Sequence, residues 1–114
     1  MDAKRWLAII GIGEDGWEGL DPQSRQLILD ADHLFGGTRH LAMIEAHSQA
    51  QPHPWTGKLD QDIAQIKSLR HRPVTVLASG DPMHFGIGAT LMRSFRLDEV
   101  WIRPALSSFA LAAA

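Results

Sequence analysis

Five short runs of apolar and β-branched residues alternate along this chain with segments of helical periodicity, which points to strands joined by crossover helices. Residues 6–12, 32–35, 51–55, 74–78 and 99–102 read as the strands. The first is apolar on both faces and is expected to be central, whereas the third carries Pro52 and Pro54, which remove ladder donors and confine it to an edge. Asp21 followed by Pro22 marks a helix start, with Leu27, Ile28 and Ala31 as the inner stripe. Thr38 is expected to cap a second helix with apolar positions Leu41, Ala42, Ile44 and Ala46. Residues 60–70 form a third helix around Ile63, Ile66 and Leu69, and residues 85–95 a fourth. The expected fold class is α/β: an open, mainly parallel five-stranded sheet with helices on both faces.

A chain of 114 residues is one domain by length and can bury about two thirds of its unfolded surface, enough for a single core. It has no cysteine, which rules out disulfides, thiolate zinc sites and cysteine nucleophiles, and suits a reducing compartment such as the cytoplasm. Its net charge is −2 and its basic residues are scattered, so no nucleic-acid partner is expected. No apolar run approaches the roughly 18 residues needed to cross a bilayer, and no membrane partner is expected. Lys4 and Arg5 ahead of residues 6–12 resemble a signal peptide only superficially, because the apolar run is short and stops at Gly13 without a cleavage site. Arg70, His71 and Arg72 read as the solvated end of the third helix.

The sharpest break lies after residue 78, where the fourth strand gives way to the turn Gly80, Asp81, Pro82. In an open parallel sheet, ligands bind beyond the carboxyl ends of the strands, which is where this turn falls. The plainer alternative is a connection in which Asp81 caps a helix and Pro82 stiffens it. Gly11, Gly13 and Gly16 match the dinucleotide pattern G-x-G-x-x-G, but the polar loop runs on to Leu20 before the Asp21 cap, and Glu14 and Asp15 would repel phosphate oxygens. His33, His40 and His47 are seven residues apart, roughly 10 Å of helical rise, too far to share an ion, so no metal site is expected. His53, between two prolines, is expected to face solvent; His84, near the turn, is a candidate ligand contact. Ser79 ends a strand without a nucleophile elbow. Ser107 and Ser108 read as helix caps whose hydroxyls and amides could also hold a ligand carboxylate.

Gly11 and Gly13 after the first strand, the segment Leu34 to Leu41 containing Gly36, Gly37, Arg39 and His40, the turn from Ala78 through Asp81 and His84 to Gly86, and the segment Pro104 to Phe109 together resemble the tetrapyrrole (corrin/porphyrin) methylase family. The resemblance implies a two-lobed α/β fold of which residues 1–114 are the N-terminal lobe, cut in the helix beginning near Ser107 and without the C-terminal lobe. It also implies that S-adenosylmethionine binds in the cleft between the lobes and leaves as S-adenosylhomocysteine, with donor contacts from Glu14, Gly80, Asp81, His84, Ser107 and Ser108. The second and third segments are most similar to the branch that methylates C5 of a precorrin in cobalamin biosynthesis. Another tetrapyrrole position or substrate, or a non-catalytic nucleotide-binding module, are the alternatives. Methyl transfer from a sulfonium needs donor and acceptor held in line more than it needs a nucleophilic side chain. No acid or base is assigned from the sequence; Arg39 and His40 are candidate partners for substrate propionates, the alternative being the solvated start of a helix. An apolar face at Phe109 and Leu111 leads to the expectation of a homo-oligomer.

Overall fold

The computed structural model describes residues 5–79 and 87–103. Five strands, β1 (Leu7–Ile12), β2 (His33–Gly36), β3 (Gln51–Pro54), β4 (Val74–Ser79) and β5 (Val100–Arg103), form one sheet in the order β3-β2-β4-β1-β5. Every neighbouring pair is parallel. The helices are α1 (Pro22–Asp30), α2 (Thr38–Ile44), α3 (Leu59–Ser68) and α4 (Ile87–Ser94).

The strand order fixes where the helices lie. The chain steps from β1 over β4 to β2 and on to β3, then turns back through β4 and over β1 to β5. With right-handed crossovers, that reversal sends the two pairs of helices to opposite faces. Two apolar layers result. On one face Ile28 of α1 and Leu41 and Ile44 of α2 pack on Ala8, Ile10, Ile12, Leu34 and Leu77. On the other, Ile63 and Ile66 of α3 and Leu91 of α4 pack with Phe95 on Leu7, Ile9, Phe35, Val74, Val76 and Val100. A parallel sheet covered on both faces needs strands that are apolar throughout, and β1 is buried at all six positions. The one polar side chain within β4 that is buried, Thr75, donates its hydroxyl to the Leu27 carbonyl of α1 at 3.3 Å, so it is not left unpaired.

β1 is interior and buried on both faces as expected, with β4 at the middle of the sheet and β5 beyond β1 as an edge. Several other expectations are corrected. Thr38 is the first helical residue, not the cap: Gly37 occupies the cap position and offers no side-chain acceptor. Ala42 and Ala46 are exposed, and α2 buries Leu41 and Ile44 instead. Arg70 does more than solvate a helix end, since its Nε donates to Glu99 at 2.9 Å and ties α3 to the start of β5. His53 does not simply face solvent: its ring stacks on Phe35 with centroids 4.4 Å apart and bonds to His33. Among the described residues, no helix is long and apolar enough to cross a membrane.

Candidate active site

Because all five strands run the same way, their carboxyl ends form a single rim. Ile12 pairs with Ser79 on the last shared rung of β1 and β4, and Arg103 at the end of β5 pairs with Ile10, two residues short of it. On the other side of β4, Gly36 ends β2 so close to the central strand that a Cβ there would lie 3.2 Å from the Leu77 Cβ. The connections leaving β1 and β4, two neighbouring strands, go to helices on opposite faces of the sheet. A crevice at the carboxyl ends of such a pair is where open parallel sheets bind ligands.

The loop after β1 is held firmly. Gly16 donates to the Gly13 carbonyl at 3.0 Å and has φ +59°, a left-handed conformation strained for any residue with a Cβ. Residues Gly16–Gly19 then make a single 3₁₀ turn. Arg25 of α1 clamps that turn, its Nε donating to the Trp17 carbonyl and its Nη2 to the Glu18 carbonyl, both at 3.2 Å. Trp17 in turn stacks on His47 with centroids 4.4 Å apart. The third glycine of the dinucleotide-like pattern therefore opens a short turn, and α1 begins only at Pro22, where the Asp21 carboxylate accepts from the Ser24 N–H at 2.9 Å. The third glycine thus does not lie in the helix that follows the strand, as a pyrophosphate cradle requires.

Charged and polar groups from three strand ends meet at the rim. Glu14, exposed after β1, forms an ion pair with Arg39 in the first turn of α2. The next residue, the partly buried His40, places Nε2 3.5 Å from the Oγ of exposed Ser79 at the end of β4. Burial of the imidazole, reinforced by the positive charge of Arg39 and opposed by Glu14, holds the His40 pKa below its ordinary value. At the far side, Arg103 pairs with Asp21. Partial burial pushes the Asp21 carboxyl up, but the hydrogen bonds from Ser24 and the Arg103 charge outweigh it and leave the pKa below the usual carboxylate value. Beside this pair, Gln23, Gln26, Leu27, Trp101 and Arg103 line a groove of about 270 Å³.

Of the six expected donor contacts, the structure describes Glu14. Gly80, Asp81, His84, Ser107 and Ser108 lie outside the described residues. The strands that lead to them end on the same rim as the Glu14 loop, β4 beside Ile12 and β5 beside Ile10. The pairing of His40 with Ser79 and of Arg39 with Glu14 was not recognised in the sequence, because 39 and 25 residues separate the partners. The only local sign was Gly36-Gly37, which ends β2 and starts α2 at the rim.

The family model described as Tetrapyrrole (Corrin/Porphyrin) Methylases matches residues 7–114. A precorrin-6Y C(5,15)-methyltransferase [decarboxylating] from Sinorhizobium sp is 44% identical over 108 residues, 95% of this chain and 26% of the relative. A cobalt-precorrin-7 C(5)-methyltransferase from Salmonella typhimurium is 33% identical over 90% of this chain and 50% of the relative. The crystal structure of a cobalamin biosynthesis precorrin-6Y methylase from Archaeoglobus fulgidus superposes with a TM-score of 0.65 at 26% identity, covering 96% of this chain and 57% of that one. An all-parallel α/β sheet with its loops gathered at one rim is the architecture of a ligand-binding lobe. The chain belongs to the tetrapyrrole (corrin/porphyrin) methylase family, and it spans about a quarter of the length of the first relative and half of the second.

Proposed function

We propose that this chain is the N-terminal, donor-binding lobe of an S-adenosylmethionine-dependent methyltransferase that places a methyl group on C5 of a precorrin during cobalamin biosynthesis in the cytoplasm. In this reading the lobe supplies half of a cleft and does not catalyse transfer alone; a C-terminal lobe completes the site. The observation that carries it is the strand register, which ends β1, β4 and β5 along one rim at three of the four segments that carry the family resemblance. Both relatives named above carry C5 in their names, which favours that position over others on the ring.

The chemistry asks little of side-chain nucleophiles. The acceptor carbon attacks the methyl group in line with the departing sulfur, so the protein must hold the two partners collinear and keep water away from the sulfonium. Glu14, Gly80, Asp81, His84, Ser107 and Ser108 are the proposed donor contacts. Glu14 reaches the donor only by sharing its carboxylate with Arg39. A precorrin is the proposed partner, and the full-length protein is proposed to assemble as a homo-oligomer.

Titrating the full-length protein with S-adenosylhomocysteine and, separately, with NAD tests the donor assignment. Binding of the first alone is expected; binding of neither, or of NAD alone, supports the non-catalytic module. Asp81→Ala should weaken S-adenosylhomocysteine binding by more than about 1 kcal/mol, the scale of a lost hydrogen bond. Unchanged affinity would leave Asp81 as a turn residue. NMR of the methylated product locates the new methyl group, and any position other than C5 rejects the acceptor assignment.

A further inference from the structure

We infer that His40, whose Nε2 faces the end of β4 at Ser79, is the general base of the methyl transfer, taking the proton that the acceptor carbon gives up. The inference rests on the functional reading above and replaces the substrate-carboxylate role expected of His40 with a catalytic one the sequence did not assign.

Its basis is placement. Leu41 and Ile44 anchor α2 to the sheet, and β2 enters that helix through Gly36 and Gly37 without an intervening loop. His40 is therefore carried on a packed element, and its Nε2 is directed to the end of β4, the strand that runs into Gly80 and Asp81. The 3.5 Å contact to the Ser79 hydroxyl is at the outer limit of a hydrogen bond, and in the tautomer with the proton on Nδ1 it leaves the Nε2 lone pair only weakly engaged and open to a stronger partner. The other basic residue of the segment is already engaged: Arg39 is paired with Glu14. A neutral imidazole can accept a proton and a protonated one cannot, and the shared influence of burial and Arg39 keeps this ring neutral down to a lower pH than usual.

Replacing hydrogen by methyl on a ring carbon must release one proton. The π electron pair of the acceptor carbon forms the new C–C bond as the S–CH₃ bond breaks, and the sulfur keeps the bonding pair and becomes a thioether. The hydrogen on that carbon then leaves as a proton to Nε2, its bonding pair restores the double bond, and the imidazolium passes the proton to solvent at the exposed rim. General-base assistance of this kind is typically worth about 10²–10⁴-fold.

The test compares wild type, His40→Gln and, as a control on the far side of β2, His33→Gln in the full-length protein, with a precorrin acceptor and saturating donor. His40→Gln should lower kcat by about 100-fold or more and leave S-adenosylhomocysteine affinity within about twofold, while His33→Gln should leave kcat within about threefold. Wild-type kcat should fall on the acid side as His40 protonates, and this limb should disappear in His40→Gln. The wild-type profile can be read even if the variant does not fold. An active wild type without an acid limb, a His40→Gln kcat within about threefold of wild type, or a loss of kcat matched by an equal loss of donor affinity each overturns the base assignment alone. A value of kcat/KM that rises at acid pH also overturns it, since that is the mark of an imidazolium binding substrate carboxylates. A wild type that binds donor but methylates no precorrin overturns the functional reading and the role of His40 with it.

Discussion

Asp62 is only 3% exposed, yet its carboxylate accepts from the Thr56 N–H at 3.2 Å and the Thr56 hydroxyl at 3.0 Å. It fastens the turn that returns from β3 into α3. Asp62→Ala would leave a partly buried N–H without its partner, and a loss of about 2 kcal/mol is expected, readable as a lower urea midpoint with an unchanged slope. A loss under about 0.5 kcal/mol would show that water replaces the carboxylate. The sequence does not disclose this role. By helical periodicity the burying stripe of α3 is Ile63, Ile66 and Leu69, and an aspartate beside it reads as solvated unless the loop that folds over it is known. Gly16 shows the converse. Its place in a glycine-rich loop suggests a turn, but only the backbone shows that it sits at φ +59°, and Gly16→Ala is expected to cost about 1–2 kcal/mol for that reason alone.

At the scale of elements, the edge strand β3 depends on side chains more than on its ladder, because two of its four residues are prolines. Gln65 of α3 lies 3.3 Å from His53 Nδ1, and His53 Nε2 lies 2.9 Å from His33 Nδ1, so one file of hydrogen bonds ties β2, β3 and α3 together. Burial, with a smaller effect from the charge of His33, holds the His53 pKa below its ordinary value. The folded protein thus favours the neutral ring. The stabilisation is complete above the unfolded value near about 6.5 and is lost as pH falls through the lower folded value. Wild type should therefore lose more Tm than His53→Gln between pH 7.5 and pH 5; equal losses would show that the pair carries no pH dependence. The presence and type of the five strands and of the four α-helices could be read from the alternation of segments, and the edge position of β3 from its prolines, whereas the 3₁₀ turns Gly16–Gly19 and Leu97–Glu99 could not. The failures were positional. The cap falls at Gly37, one residue before Thr38; α2 ends at Ile44, before Ala46, and buries Leu41 and Ile44 but not Ala42; and His53 packs on Phe35 across the β2–β3 pair, a contact its local sequence does not disclose.

For the whole molecule, the order β3-β2-β4-β1-β5 brings together at one rim segments that are far apart in the chain, and the proposed donor site depends on that gathering. The motifs themselves were visible in the sequence, as was the rule that parallel strands bind ligands beyond their carboxyl ends. Pairwise contacts across the rim were not, since neither Glu14 with Arg39 nor His40 with Ser79 leaves a trace in spacing. The central claim is that this rim holds the methyl donor, and a crystal structure of the full-length protein with S-adenosylhomocysteine tests it most directly. The ligand should lie beyond the carboxyl ends of β1, β4 and β5, in contact with Gly80 or Asp81 and with Ser107 or Ser108. A ligand bound at the opposite edge of the sheet, or in the groove between α1 and β5 without touching that rim, would contradict it.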